Sequence, residues 1–436
     1  MRPACTRAIS HPTKSSISRG PRVCASRVRI ERIRVLRCSA DRAHSDHLAV
    51  RSLGAIPQQP PGRPLTEGTE LTGLHVVVDG SGLARLWAGV GTYTAEILRA
   101  LAAERPDNRF TVFTQAEPGI EQPAIAFRRP PSIQLIGRHL LWPARLRRMD
   151  ANLYFGPAGV MPLGDVGLPA VLTAHDMAIY KRPEWFPSGQ SLSVRVIVPR
   201  SMRRAHSIIA VSASTARDVA DLFDIEPARL EVVHEGVARR YRPLPVDLLE
   251  AARARFRLPR RFVLFVSTIE PRKNLTTLLE AWSRMRDRLP LVVAGSWGWH
   301  YEGIRERIEQ LGSDLLMLGA LPPADMPALY NLATCLAHPA WYEGFGLTPL
   351  EAMACGTPVA VSNASSLPEV VGDAGLLVDP ADVEAWTDAL ERLCGDAELH
   401  TTLRRRGLLR AAEFGWERAA YRTWRVMDRA ARSANS

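Results

Sequence analysis

The chain has 436 residues, 46% hydrophobic and 23% charged, with a net charge of +11. This is a globular composition, long enough for two domains, and it holds no apolar run of about 18 residues that would read as a transmembrane helix. The charge is concentrated: residues 1–51 carry twelve Lys/Arg against Glu31, Asp41 and Asp46, which leaves +2 for the other 385 residues and argues against a nucleic-acid partner.

Residues 1–70 are rich in Arg, Ser and Pro, poor in acids and without sustained apolar periodicity, and Gln58-Gln59-Pro60-Pro61-Gly62-Arg63-Pro64 reads as a linker. No 7–15-residue apolar stretch is present, so the leader is not a secretory signal. It reads as a disordered extension or a mis-assigned start near Leu71, with an organelle transit peptide as the third option. Of the cysteines, Cys5, Cys24 and Cys38 lie in this leader. Cys335, Cys355 and Cys394 sit in apolar or helical contexts without metal-ligand spacing, as buried, reduced thiols of a cytosolic protein do.

From Leu74 the pattern changes. Leu74–Asp79 is a β-branched strand, followed by Gly80, Gly82, Gly89 and Gly91, a helix through Tyr93, Ile97, Leu98 and Leu101, and a strand at Arg109–Thr114. Further strands are predicted at 151–155, 170–173, 207–211 and 230–234, with helices at 192–205 and 214–222. A turn-rich segment, Tyr241–Pro245, closes this half. The second half restarts at Arg261–Val266 and alternates strands (291–294, 315–318, 335–338, 358–361, 376–378) with helices (275–286, 304–310, 326–332, 349–355, 368–371, 383–394). Such alternation predicts an α/β architecture of two Rossmann-like domains with doubly wound parallel sheets facing across a cleft. The expected bounds are 71–245 for the first domain, 246–412 for the second and 413–436 for the tail. In that tail Trp416, Ala420, Trp424 and Met427 share one helix face that needs an apolar surface, which a helix crossing back over the molecule would find.

Residues 341–358 carry the most chemistry. Glu343 and Glu351 flank Gly344-Phe345-Gly346-Leu347-Thr348, and a helix is predicted with Thr348 as N-cap, Pro349 at its first position and Gly356 just past its end. The N-terminus of such a helix suits a phosphate, glycines admit a ligand close to the backbone, and flanking carboxylates accept hydrogen bonds from sugar hydroxyls. Together they describe a nucleoside-diphosphate-sugar site. Thr348-x-x-Glu351 is equally a capping box, which would account for Glu351 without any ligand.

The string Glu343–Val359, with Glu343-(x7)-Glu351 inside it, resembles the signature of the large retaining glycosyltransferase family 4 with the GT-B fold, and the resemblance covers about residues 74–430. Ser267-Thr268-Ile269-Glu270-Pro271-Arg272-Lys273-Asn274 is similar to the family's basic phosphate-binding loop. The resemblance implies that Arg272 and Lys273 clamp the pyrophosphate; many members carry an arginine near position 268, where this chain has Thr268. Gly89-Val90-Gly91-Thr92-Tyr93 is similar to the family's glycine loop facing the cleft, and Thr173-Ala174-His175-Asp176 to its His-Asp segment, which implies that His175 lies beside the anomeric carbon. Ile208–Thr215 and His234-Glu235-Gly236-Val237 also resemble family segments and read as structural, near the hinge.

The resemblance implies hexose transfer with retention, no cofactor beyond the nucleotide-sugar co-substrate and no required metal. His175, Glu343 and Lys273 are the implied catalytic residues. The implied donor contacts are Arg272, Lys273, Glu343, Gly344, Phe345, Gly346, Leu347, Thr348, Glu351, Gly89 and Gly91, with Glu343 on the hexose and Glu351 on the ribose. The Glu-Pro-Arg-Lys-Asn and Glu-Gly-Phe-Gly strings look most like mannosyltransferase members, so GDP-mannose is the first donor to expect, with a glycan or lipid-linked acceptor. Arg138–Met149 mixes basic and apolar residues around Trp142; it reads as a surface helix or as a peripheral contact with the inner face of the membrane. A GT-B epimerase or phosphorylase, and a non-catalytic nucleotide-sugar-binding subunit, are the alternative readings; donor turnover separates the last from an enzyme.

Overall fold

A computed structural model describes residues 72–85, 89–116, 119–130, 137–189 and 191–433. The leader, and every reading made of it, lies outside these residues. Seven strands form the first sheet: β1 His75–Asp79, β2 Arg109–Phe113, β3 Ile125–Arg128, β4 Leu153–Gly156, β5 Ala170–Ala174, β6 Ser207–Ala210 and β7 Leu230–Val232. Six form the second: β8 Val263–Val266, β9 Leu291–Ala294, β10 Leu315–Gly319, β11 Cys335–His338, β12 Val359–Ser362 and β13 Leu376–Val378. Their spatial orders are β3-β2-β1-β4-β5-β6-β7 and β10-β9-β8-β11-β12-β13. Every neighbouring pair is parallel. The central strands β1, β4, β5, β9 and β11 are buried along their whole length, which is why they read as mainly apolar runs: helices cover both faces.

The elements that escape the sequence reading include one strand and three α-helices, among them the short Ala178–Lys181. Strand β3 is a sheet edge whose residues are partly exposed, so its apolar signal is weak. Helix Val246–Phe256 buries none of its residues fully and packs on Met326–Leu332. Helix Ala397–Ala411 is dominated by polar and charged residues and buries only Leu403, Gly407 and Ala411. The helix predicted at 192–205 is instead a π-helical turn, Ser193–Ile197, running into an α-helix, Val198–Arg204. Pro199 has no N–H to donate, so a regular α-helical hydrogen bond is missing near that join.

Trp142, the indole behind the membrane-contact reading, is 2% exposed and packs edge-on against Phe113 and Tyr154 at 5.4 and 6.2 Å between ring centres. It belongs to the core of the first domain. Among the described residues no helix is long and apolar enough to cross a membrane. Cys335 and Cys355 are buried, Cys394 partly so, and all three are free thiols.

The C-terminal helix, Trp416–Ser433, crosses back to the first domain. It lies on helix Gly89–Glu104 and on β4, β5 and β6. Trp416, Ala420, Trp424 and Met427 are all buried. Burying Trp424 and Met427 stabilises the crossing by about 1.5–3 kcal/mol per side chain.

Candidate active site

In an open parallel sheet, a crevice forms where the strand order reverses, outside the carboxyl ends of the strands. In the second sheet the order reverses between β8 and β11. The segment after β8 carries Glu270, Arg272 and Lys273, and the segment after β11 carries Glu343. Topology alone thus brings the two sequence-predicted strings to one place.

There the side chains interlock. Lys273 Nζ lies 2.5 Å from Glu343 Oε1, Arg272 reaches Glu343 Oε2 at 3.5 Å, and His338 Nε2, at the end of β11, lies 2.8 Å from Glu343 Oε1. Arg272 also pairs with the buried Glu270 at 2.8 Å and donates to the Tyr342 carbonyl at 3.0 Å. The Glu343 backbone is fixed from both sides: its N–H donates to Ser365 Oγ at 2.8 Å and its carbonyl accepts from Ser366 Oγ at 2.9 Å. Burial alone would push the Glu343 carboxyl up; Lys273, the His338 hydrogen bond and Arg272 reverse this and hold it well below the usual carboxylate range. Glu343 thus faces two basic side chains in a setting where charge is weakly screened; burial and the neighbouring Arg272 push Lys273 down, and Arg272 is shared with Glu270.

The following helix is Leu347–Ala354. It begins earlier than predicted. Gly346, at φ 117°, occupies the N-cap position, and Thr348 and Pro349 fall inside the first turn. Thr348 makes no side-chain cap, so the capping-box account of Glu351 fails. Thr348→Ala is accordingly expected to change stability by less than about 0.5 kcal/mol, against about 1 kcal/mol for a true N-cap; a urea melt reads the difference. The far end matches expectation: Gly356 at φ 78° closes the helix, with Gly356 N–H on the Met353 carbonyl and Thr357 N–H on the Ala352 carbonyl, both 2.9 Å. At the near end, the amides of Leu347 and Thr348 lie in the turn that has no intrahelical acceptor. The Phe345 ring is buried against His234 and Phe414, so only its backbone is placed to face a ligand.

Glu351 lies apart from this cluster. Tyr330 Oη donates to it at 3.0 Å, and Tyr241 also hydrogen-bonds it. Burial pushes its carboxyl up to about 7, against the pull of Tyr241, Tyr330 and Arg240. An acid whose folded pKa is raised adds stability below its unfolded pKa of about 4.5 and loses it as pH rises through about 7. Wild type should therefore lose stability relative to Glu351→Gln between pH 5 and pH 8, by about 3 kcal/mol at full effect. Paired melts across that range check this; a gap independent of pH contradicts it.

His175 follows β5 and meets the C-terminal domain directly. A methyl group built on Gly344 would lie 1.9 Å from the His175 carbonyl oxygen. Thr215 Oγ1 is 3.1 Å from both the His175 and the Gly344 carbonyl oxygens, and Ser212 Oγ donates to Gly344 O at 2.7 Å. The His175 ring is held by Glu235 Oε1 at 3.3 Å, the Pro157 carbonyl at 2.7 Å and the Tyr93 ring, edge-on at 4.7 Å. Tyr342 Oη donates to Asp218 at 2.7 Å, and His234 pairs with Glu369 at 2.6 Å. Both contacts join the two domains.

Gly89 and Gly91 do not form a loop. They open helix Gly89–Glu104, one turn before the Tyr93 that packs on His175. The sequence reading also passes over Glu235, Glu270 and His338 as site residues. Each is buried beside a predicted one, and the signal available was a polar residue just past, or at the last position of, an apolar strand. Among the described residues no group of three His, Cys, Asp or Glu is placed to hold a metal.

Comparisons with known proteins bear on the family and the fold. The model for glycosyl transferases group 1 matches residues 249–410, and that for Glycosyltransferase Family 4 matches residues 87–240. The O-antigen chain mannosyltransferase B of Escherichia coli is 31% identical over 361 residues, covering 77% of this chain and 94% of that protein. A D-inositol 3-phosphate glycosyltransferase of Salinispora arenicola is 30% identical over 425 residues, 84% of this chain and 92% of that one. The crystal structure of WaaG, a glycosyltransferase involved in lipopolysaccharide biosynthesis, superposes with a TM-score of 0.63 at 18% identity, covering 81% of this chain and 99% of that chain. With two parallel-sheet domains, a crossing helix, and a basic loop and Glu-x7-Glu string that meet at the strand-order reversal, this chain belongs to the family 4 glycosyltransferases of the GT-B fold.

Proposed function

We propose that this glycosyltransferase transfers mannose, with retention, from GDP-mannose to a glycan or lipid-linked acceptor, and that its own cations do the work a divalent metal does elsewhere. The observation that carries the reading is the convergence of Lys273 and Arg272 on Glu343 beside the N-terminus of helix Leu347–Ala354. A diphosphate sharing these cations and the backbone amides of Phe345, Gly346 and Leu347 gains stabilisation as negative charge develops on it. Glu343 accepts hydrogen bonds from the hexose hydroxyls, and Glu351 from the ribose. The bond between the anomeric carbon and the phosphate oxygen breaks, the acceptor oxygen bonds to the same face, and its proton passes to the departing phosphate. His175, its ring held by Glu235 and the Pro157 carbonyl, stabilises the transition state from the first domain's side of the site. Support for mannose and for a glycan acceptor comes from the Escherichia coli relative, an O-antigen chain mannosyltransferase.

The test is thermal stabilisation against GDP, UDP and ADP and their hexose conjugates, with Glu351→Ala as control. A ligand at about 100 times its Kd adds about 2.7 kcal/mol. GDP and GDP-mannose should stabilise wild type and lose most of that effect in the variant. Stabilisation by UDP or ADP alone rejects the guanine choice; no stabilisation by any of them rejects the donor site.

A further inference from the structure

Strand β9 ends in Gly295-Ser296-Trp297-Gly298-Trp299-His300-Tyr301. This loop lies on the segment that leads to Arg272 and Lys273. Ile269 N–H donates to the Ser296 carbonyl at 2.9 Å, and Gly298 N–H donates to the Ile269 carbonyl at 3.0 Å. The approach is too close for side chains: a methyl on Gly295 would lie 1.8 Å from Ser267 O, and one on Gly298 2.8 Å from Thr268 Cγ2. The loop also reaches the first domain. Trp299 Nε1 donates to the Trp185 carbonyl at 2.7 Å, and the Trp299 and Phe186 rings lie 5.7 Å apart. Aromatic side chains from both domains therefore meet within one loop of the cationic cluster.

One of them is left open. Trp297 is 40% exposed, the only tryptophan among the described residues in that state, while Trp282, Trp386 and Trp424 are wholly buried. Its ring is backed by Tyr301, 5.0 Å away. Exposed Ser296 and His300 flank it with hydrogen-bonding groups. Trp297 thus turns an apolar ring face to water beside polar neighbours, on a loop that touches both the first domain and the segment leading to the cations. A pyranose matches it: one face presents C–H groups to an aromatic ring, and its hydroxyls point outward to the rim.

We propose that Trp297, backed by Tyr301 and anchored through Trp299 to Trp185 and Phe186, is a stacking platform for a sugar ring of a carbohydrate acceptor. This rests on the transferase reading above and adds the residues that would meet the acceptor. A ring stacked there touches a loop fixed to both domains, next to the cations that hold the donor.

The experiment uses the full chain, with mannotriose and GDP as separate probes in titration calorimetry. Wild type should bind both. Trp297→Ala should weaken mannotriose about tenfold and Trp297→Phe less than about threefold, with GDP affinity unchanged in each. Three results overturn the proposal: equal mannotriose affinity in all three proteins, a wild type that binds GDP but not mannotriose, or a loss of GDP affinity in Trp297→Ala, which would assign the ring to the nucleotide base. A wild type that binds no nucleotide at all removes the donor site itself, and the platform with it.

Discussion

Gly344→Ala is expected to lower kcat at least about 100-fold while leaving both domains folded. The added methyl would meet the His175 carbonyl oxygen at 1.9 Å, its carbonyl carbon at 2.7 Å and Asp176 Cβ at 2.8 Å. Two of these are main-chain atoms at the end of β5, and no rotamer change relieves them. The Gly344 carbonyl is meanwhile held by Ser212 and Thr215 from the first domain. The domains must therefore part by at least about 1 Å at this point, and a misplacement of about 1 Å costs about 10²-fold where reacting groups must be aligned. Each domain keeps its own sheet and helices, so circular dichroism and the thermal transition should change little. Nucleotide binding, which the proposed function assigns to the second domain, should also persist. A variant with kcat within threefold of wild type would show that this interdomain contact is not the working arrangement.

Lys273→Ala is expected to reduce kcat by about 10²–10³, the range for removing one preorganised charge donor from a transition state. Lys273 is the shortest contact to Glu343, at 2.5 Å, and both side chains are 12% exposed. Its loss leaves the carboxylate with Arg272 and His338, so the destabilisation should stay below the about 3–5 kcal/mol of a buried pair broken outright. Lys273→Arg should recover little, because a planar fork cannot replace a compact ammonium in that space. Steady-state kinetics beside a urea melt separates the two effects. Activity near wild type in a folded Lys273→Ala protein would remove the electrostatic role assigned here.

Strand content was legible wherever a strand is buried on both faces. Val76–Val78, Val263–Phe265 and Leu291–Ala294 announce themselves because positions covered on both faces are filled mainly by apolar side chains. The edge strand Ile125–Arg128 and the solvated helices Val246–Phe256 and Ala397–Ala411 do not, since half-exposed elements carry half the pattern. The start of helix Leu347–Ala354 was misplaced for a different reason. Thr348-Pro349 has the chemistry of a helix start, but Gly346 at φ 117° turns the chain two residues earlier, and a backbone angle leaves no mark in residue type beyond the glycine itself.

Local sequence determined the strands, the basic loop, the Glu-Gly-Phe-Gly string and the apolar face of the final helix, because each depends on neighbours a few residues away. Tertiary structure decided what those pieces do to one another. Lys273 and Glu343 are 70 residues apart in the chain and meet only because the strand order reverses between β8 and β11. The partners Glu235, Glu270 and His338 are set by burial and by packing across the domains. Gly344 has no room for a side chain only because the His175 carbonyl comes from the other domain. The state of Glu351, with its carboxyl pushed up to about 7, follows from burial among Tyr330, Tyr241 and Arg240. Charge and distance in three dimensions fix that state, and a linear sequence holds neither.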